Sequence, residues 1–328
     1  MIRTLYYAAD GIVRDDLRMD QLSGSLGDTK GLLWIDFQGE PNETAEPILR
    51  NIFGFHPLAI DDALQESHIP RVDDWEQYLY VVLHTVVFAQ EDGPQVDTLE
   101  LDVFLGPNYV VTHHDTPIPA IDHVWQRCHL DDRLMRSGAD RLFYELSDQL
   151  VVRYLPAIEA LDDAIDQMET DIFAGATAGT LETLFMLKRA VVHLRRIIAP
   201  QREVFNRLAR DSFRTIDAKT RVYFRDIYDH LVRLHETSDS MRDLVSGAVD
   251  MHLSATNNRL SDAMKALTMI TTLFMPISFL AGFFGMNFFA PVETIPLWTS
   301  KSALLCTLAL MALSPVAMYW LLRRRGWL

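Results

Sequence analysis

Cysteine is scarce in this 328-residue chain, which has only Cys128 and Cys306. They lie far apart in segments of different character. That pattern excludes a disulfide framework or a Cys-rich metal site and points to a reducing compartment. Positive charge is also short, with 30 Lys and Arg against 45 Asp and Glu. A nucleic-acid partner is disfavoured, because phosphates require basic surface. The acidic excess suits a protein that handles cations, and it suits ordinary solubility equally well. The opening "MIRTLYYAADGIVRDD" lacks the positive start and apolar core of a secretory signal. No Gly-rich phosphate loop or nucleophile–base pairing stands out, so neither ATP-driven pumping nor hydrolase chemistry is supported. No enzyme is expected.

Charge disappears altogether from two stretches. Residues 266–286 and 302–322 are each 21 residues without Asp, Glu, Lys or Arg. At 1.5 Å per residue each covers roughly 30 Å, the thickness of a bilayer's hydrocarbon core. Buried helices of a soluble protein are the competing reading, but such helices normally keep a polar face. The second stretch runs directly into Arg323, Arg324 and Arg325, which the positive-inside rule places in the cytoplasm. The loop between the stretches, 287–301, holds one acid, Glu293, and one base, Lys301. A two-pass hairpin with both termini cytoplasmic follows.

The rest divides by periodicity. Residues 1–139 read as an α/β domain. "GLLWIDF", "YLYVVLHTVVF" and "LELDVFLGPNYVVTHH" are rich in β-branched and aromatic residues, and the Gly106-Pro107-Asn108 break suggests a hairpin. "HPLAIDDAL" reads as a short helix. Residues 140–265 turn helical. One helix is expected from about 140 to the "GATAGT" turn, a second from about 181 to 210, and a third from about 217 without a strong breaker before Pro276. Within the third, Ile227, Leu231, Leu234, Ser238, Met241, Val245, Ala248, His252 and Ala255 alternate steps of four and three, a coiled-coil rhythm. The reading is a loose parallel bundle of identical stalks, and packing within one subunit fits the pattern as well.

Steps of seven from Asp250 give Asn257, Met264, Thr271, Ser278 and Gly285. One face therefore stays polar or small well into the first apolar stretch, with Leu267 and Met275 beside it. Small and hydroxyl residues in a membrane helix often serve helix packing. Continuity with Asp250 and Asn257 on one side and Asn287 on the other favours a wet path between several copies. Asn287 amides around an axis would form a ring of neutral oxygens, and Gly285 would permit a tight turn there. Such oxygens suit Mg²⁺, which dehydrates reluctantly. No acid lies between Met264 and Asn287, so release stays easy.

These residues resemble the CorA family of divalent metal-ion transporters. "MKALTMITTLFMPISFLAGFFGMNF" carries the family's Gly-Met-Asn signature at Gly285, Met286 and Asn287. "HPLAIDDAL", "FLGPNYVVTHH", "YFRDIYDHL", "SATNNRL" and the terminal "RRRGWL" are similar to other parts of the family, so the likeness spans nearly the whole chain. The resemblance implies a homopentamer in the inner membrane with a funnel-shaped cytoplasmic part: an α/β domain, long stalk helices and a two-helix transmembrane hairpin. The first spans (266–286) would line a pore, the second (302–322) would lie outside it, and 323–328 would be a basic cytoplasmic tail. Gly285, Met286 and Asn287 would form the selectivity filter. Met264, Leu267, Thr271, Met275, Ser278, Asn257 and Asp250 would line the path, with Met264 and Leu267 as its constriction. A regulatory Mg²⁺ would bind between neighbouring subunits at Asp61, Asp62 and Asp226, although helix capping also explains the Asp61/Asp62 pair. Uptake of Mg²⁺, or Co²⁺ and Ni²⁺, would follow the membrane potential and close at high cytoplasmic Mg²⁺. The family's Met-Pro-Glu-Leu after the signature is replaced by "APVETIP", which leaves Glu293 alone to attract cations and keeps a ZntB-like Zn²⁺ branch open. A membrane-tethered sensor without conduction is the reading from another class.

His113, His114 and Asp115, and likewise Cys128, His129, Asp131 and Asp132, have the chemistry of Zn²⁺ ligands. A strand end and a polar loop account for them as well, and that is the reading adopted.

Overall fold

The computed structural model describes residues 1–65, 69–89, 94–175, 178–286 and 301–325. They form two units, 1–251 and 252–328. In chain order the first unit holds β1 (Ile2–Tyr7), β2 (Val13–Asp15), α1 (Met19–Leu26), β3 (Leu32–Gln38), α2 (Asn42–Asn51), α3 (Pro57–Leu64), β4 (Arg71–Asp74), β5 (Leu79–Ala89), β6 (Gln95–Leu105) and β7 (Tyr109–His114). Then come α4 (Pro119–Leu130), α5 (Arg133–Arg136), α6 (Ala139–Val152), α7 (Tyr154–Gly175), α8 (Ala178–Arg210) and the start of α9 (Ala218–Phe284). The rest of α9 and α10 (Lys301–Arg324) make up the second unit.

Seven strands form one sheet in the order β2-β1-β3-β7-β6-β5-β4. β3 and β7 run parallel, and the other neighbours are antiparallel. The hairpin expected at Gly106-Pro107-Asn108 is β6–β7, with Leu105 paired to Val110. Alternation along the strands separates two cores. Leu33, Ile35, Phe37, Tyr80, Val82, Phe104 and Val111 face the side covered by α1–α3. Trp34, Val81, Leu83, Leu101, Val103 and Val110 join the larger core with α4 and α6–α8.

The helix expected from residue 140 onward is two helices, because the chain turns at Arg153 between α6 and α7. The break lets Tyr154 be fully buried, with its hydroxyl donating to the His84 carbonyl at 3.0 Å. Gln201 of α8 completes that joint: its amide donates to the same carbonyl at 3.0 Å and its oxygen accepts the His84 N–H at 2.8 Å.

The stalk seam corrects a sequence expectation. Ile227, Leu231, Leu234, Ser238, Met241, Val245 and Ala248 are all buried within a single chain. The apolar members belong to the core that contains Leu161, Ile165 and Met168 of α7 and Leu187, Val191 and Leu194 of α8. The four-three rhythm is therefore satisfied by the chain's own helices rather than by identical stalks. Ser238 fits this setting because its hydroxyl donates to the His235 carbonyl at 2.8 Å.

A charged knot lies under β3. Asp36 has no exposure, and Arg3 Nε pairs with it at 2.7 Å while the same guanidinium reaches Asp122 at 2.7 Å. The Thr112 hydroxyl donates to Asp36 and accepts from Trp34 Nε1 at 3.1 Å. His114 Nε2 stands 3.2 Å from Asp36, a contact of charge rather than an aligned hydrogen bond. Burial pushes the Asp36 carboxyl upward, but His114, Arg3 and Thr112 outweigh it and hold it below the usual 3.8. Burial pushes His114 down, and Asp36 more than reverses that, raising it above 6.5.

The pH window follows from these directions. The Asp36 contribution is present above 3.8 and lost as pH falls through the lowered value. The His114 contribution is complete below 6.5 and lost as pH rises through the raised value. Asp36→Asn leaves Arg3 with Asp122 alone and His114 without its buried carboxylate, and is expected to destabilise the fold by about 3 kcal/mol near pH 6. The penalty should shrink below the ordinary carboxylate range. Thermal unfolding of the purified full chain across that range measures both.

Candidate functional site

The local sequence sets α3 with care. His56 is its N-cap, with Nδ1 accepting the Leu58 N–H at 3.2 Å, and Pro57 opens the first turn. The imidazole stacks on Trp75 at 4.3 Å, and the His56 amide donates to the Tyr78 hydroxyl at 2.9 Å. Asp61 and Asp62 therefore lie beyond the first turn, with no acid in the turn itself. The capping reading of this pair is overturned. Asp61 is exposed, and the half-exposed Asp62 forms an ion pair with Arg71 of β4.

Asp226 is exposed on α9. It belongs to a different acidic group, one that the sequence reading missed. Glu145 and Asp148 of α6 are three residues apart, a spacing that puts like charges on one helix face. The Asp148 carboxyl is raised by partial burial and by the charges of Glu145 and Asp226, with His230 opposing. Glu145 is paired with Arg127. That i, i+3 pair of acids was the available signal. Among the described residues no three His, Cys, Asp or Glu side chains converge to hold a metal ion. The carboxylates at 61, 62 and 226 are hard oxygen ligands of the kind that Mg²⁺ accepts.

The strand-end histidines are structural. His113 and His114 are buried beside Asp102 and Asp36. Cys128 is a buried thiol pushed up to about 12 by burial, far from the thiolate that a metal requires. His129 Nε2 lies 2.7 Å from Asp15, and Asp131 accepts the Arg133 N–H at 3.0 Å.

The second unit is described by itself. α9 and α10 are each long and apolar enough to cross a membrane, and the apolar window of neither is buried. Each has one partly covered stripe. On α9 it is Met269, Thr272, Leu273, Pro276, Ile277 and Leu280, and on α10 it is Ala303, Thr307, Met311, Ser314, Pro315, Met318 and Leu322. Asp250 is exposed on the first unit's part of α9, and beyond it Asn257, Met264, Leu267, Thr271, Met275 and Ser278 are exposed as well. At 100° per residue these positions centre roughly 160° from the covered stripe. The Thr271 hydroxyl donates to the Leu267 carbonyl at 2.9 Å, leaving its lone pairs outward. At Gly285 an added Cβ would meet the Ala281 carbonyl oxygen at 2.9 Å, so glycine is required where α9 ends. Met286 follows, exposed. Asn287 and Glu293 lie outside the described residues. The Arg324 guanidinium sits 4.6 Å above the Trp320 ring, a pairing suited to a membrane interface.

A profile of the family described as CorA-like Mg²⁺ transporter protein matches residues 29–324. The chain belongs to this family. It is 33% identical over 296 residues to the cobalt/magnesium transport protein CorA of Thermotoga maritima, covering 90% of this chain and 83% of that one. The CorA magnesium transporter of Methanocaldococcus jannaschii shares the fold at a TM-score of 0.84, with 23% identity over 99% of this chain and 98% of that one. The ZntB cytoplasmic domain of Vibrio parahaemolyticus is more distant, with a TM-score of 0.60 and 12% identity over 78% of this chain and 98% of that one. The combination of an α/β domain, a long helix and two apolar helices is thus a CorA architecture. The Zn²⁺ branch is not the favoured reading.

The crowding at Asp148 gives a prediction. A group held above its ordinary value contributes stability below 3.8 and loses it as pH rises through the raised value. Asp148→Asn is therefore expected to stabilise the chain at pH 7 without divalent cations. After discounting for solvent screening the gain is about 0.5 kcal/mol. The gain should vanish near pH 3.5, and added Mg²⁺ should stabilise the variant less than the parent; paired melting curves measure both effects.

Proposed function

We propose that the chain is a membrane transporter of hydrated divalent cations, Mg²⁺ first and Co²⁺ beside it, working as a homopentamer. One observation carries this reading. On α9 the face from Asp250 to Ser278 is uncovered in one chain, while the partly covered stripe lies on the opposite side. A span that is partly covered on one side leaves the other side for copies of itself. Around a fivefold axis Asp250 and Asn257 line the cytoplasmic funnel, Met264 and Leu267 form the constriction, and Thr271, Met275 and Ser278 face the passing ion. Gly285 and Met286 lead to the Asn287 ring at the outer mouth, with Glu293 attracting cations beyond it.

The chemistry follows from hydration. Neutral amides and hydroxyls accept hydrogen bonds from an ion's water shell, which costs far less than stripping Mg²⁺. With no carboxylate in the span, binding stays weak enough for release. The membrane potential supplies about 4.6 kcal/mol per divalent ion per 100 mV, twice the single-charge value. Closure is set by Asp61, Asp62 and Asp226. At high cytoplasmic Mg²⁺ carboxylates of neighbouring subunits share an ion, and their repulsion is cancelled. When Mg²⁺ falls the acids repel, the subunits loosen, and the Met264/Leu267 constriction wets. Placed in the inner membrane with Arg323, Arg324 and Arg325 on the cytoplasmic side, the hairpin keeps both termini in the cytoplasm.

Flux into proteoliposomes tests conduction. The parent chain should take up Mg²⁺, with Co²⁺, Ni²⁺ and Zn²⁺ as competitors. Asn287→Ala should cut uptake about tenfold or more, the equivalent of about 1.4 kcal/mol. A sealed parent would make the chain a tether or sensor instead. Asp62→Ala combined with Asp226→Ala should leave uptake open at Mg²⁺ concentrations that shut the parent, and closure at the parental concentration would refute the gating.

A further inference from the structure

Asp62 already holds a cation. Arg71 Nη2 makes the ion pair with Asp62, and Nε of the same guanidinium lies 3.3 Å from Asp73. Arg71 stands on β4 diagonal to Tyr80 of β5, and its guanidinium lies 5.6 Å from the centre of the Tyr80 ring. Tyr80 is itself pinned, because its hydroxyl donates to the buried Asp102 at 2.6 Å. The arginine is thus seated on a fixed aromatic face beside α3. Yet Nε and Nη2 are shielded from water without an aligned hydrogen bond. At these two nitrogens charge, rather than an aligned hydrogen bond, holds the guanidinium to Asp62 and Asp73.

We propose that Arg71 is a built-in competitor for Asp62, a tethered cation that Mg²⁺ must displace and that thereby sets the Mg²⁺ concentration at which the protein closes. This rests on the reading of Asp62 as a regulatory ligand. A divalent ion brings twice the charge to the carboxylate, and the displaced guanidinium keeps Asp73 and the Tyr80 ring as partners. Arg71 thus acts as a positioning residue for Asp62. Its removal should tighten Mg²⁺ binding rather than weaken it, the opposite of what loss of a merely structural contact would do.

The experiment titrates purified full-length chain with Mg²⁺ alone and follows the rise in unfolding midpoint, which reports affinity through mass action. Arg71→Gln should respond at roughly two- to fivefold lower Mg²⁺ than the parent, as expected for release of a partly exposed ion pair. Arg71→Lys, which keeps the charge, should stay near the parent. Uptake at the lowest Mg²⁺ should not change in either variant. In an Asp62→Asn background the gain from Arg71→Gln should disappear, since coupled neighbours are non-additive. If Arg71→Gln fails to fold, Arg71→Met keeps the apolar stem on Tyr80 and takes its place. An unchanged or higher Mg²⁺ requirement in the Arg71 variants, with Asp62→Asn still weakening the response, overturns the competition alone. An Asp62→Asn chain that responds like the parent overturns the regulatory reading and this inference together.

Discussion

Between Ile227 and Ala248, α9 buries seven side chains in its own subunit, whereas beyond His252 none of its described side chains is buried. The rest of the structure depends on this change of environment along one continuous helix. Burial of the seam ties that stretch of α9 to α7 and α8 through dispersion and the hydrophobic effect. The exposed stretch is only partly covered along one stripe among the described residues, yet it is too apolar to face water. Two kinds of surroundings can cover it: lipid and other copies of itself. Ser278 and Thr271 gain nothing from lipid, and Leu273 and Leu280 gain nothing from an aqueous path. The helix sorts these residues onto different sides.

The acids of the first unit obey the opposite rule. Asp62 is matched by Arg71, Glu145 by Arg127 and Asp36 by Arg3. Asp148 is less comfortable: partial burial and the nearby charges of Glu145 and Asp226 raise its carboxyl. A folded chain tolerates such crowding when a cation relieves it. The two acidic groups differ in how they are answered from within the chain. The Asp62 group is answered by the Arg71 guanidinium, whereas in the Asp226 group Arg127 pairs with Glu145 and Asp148 stays raised.

Much of the fold was legible because it rests on local rules. Pro57 after His56 announced α3, the Gly106-Pro107-Asn108 break announced the β6–β7 turn, and the charge-free runs announced both apolar helices. The seam was read correctly as periodic, but its partner was not. Period alone says that a stripe is buried, and it is silent on whether α7 and α8 or a second copy buries it. Arg153 gave no sign of the break between α6 and α7, because the cause is tertiary: Tyr154 and Gln201 converge on one carbonyl of β5. Arg71 was invisible as a partner of Asp62 for the same reason. The pairing crosses from a helix to an edge strand, and no sequence spacing encodes it. The acids at 145 and 148 were legible as an i, i+3 pair, but only the fold brings Asp226 beside them.

Separating acids from the span has a kinetic logic. A carboxylate at the height of Thr271 would attract a divalent ion strongly, but with few dipoles to offset its own desolvation it would also hold that ion long. Hydroxyls and amides give up some attraction and gain release. On the proposed orientation the attraction comes from elsewhere, from Asp250, exposed on α9 at the cytoplasmic end of the span. Inward flux fits this layout: an ion drawn down its electrical gradient meets neutral oxygens within the membrane and a carboxylate only after it has crossed. An ion moving outward would first have to leave that carboxylate and then climb the potential. On the proposed reading the direction of flow is set by the membrane potential, and the neutral stripe keeps the ion from being held within the span.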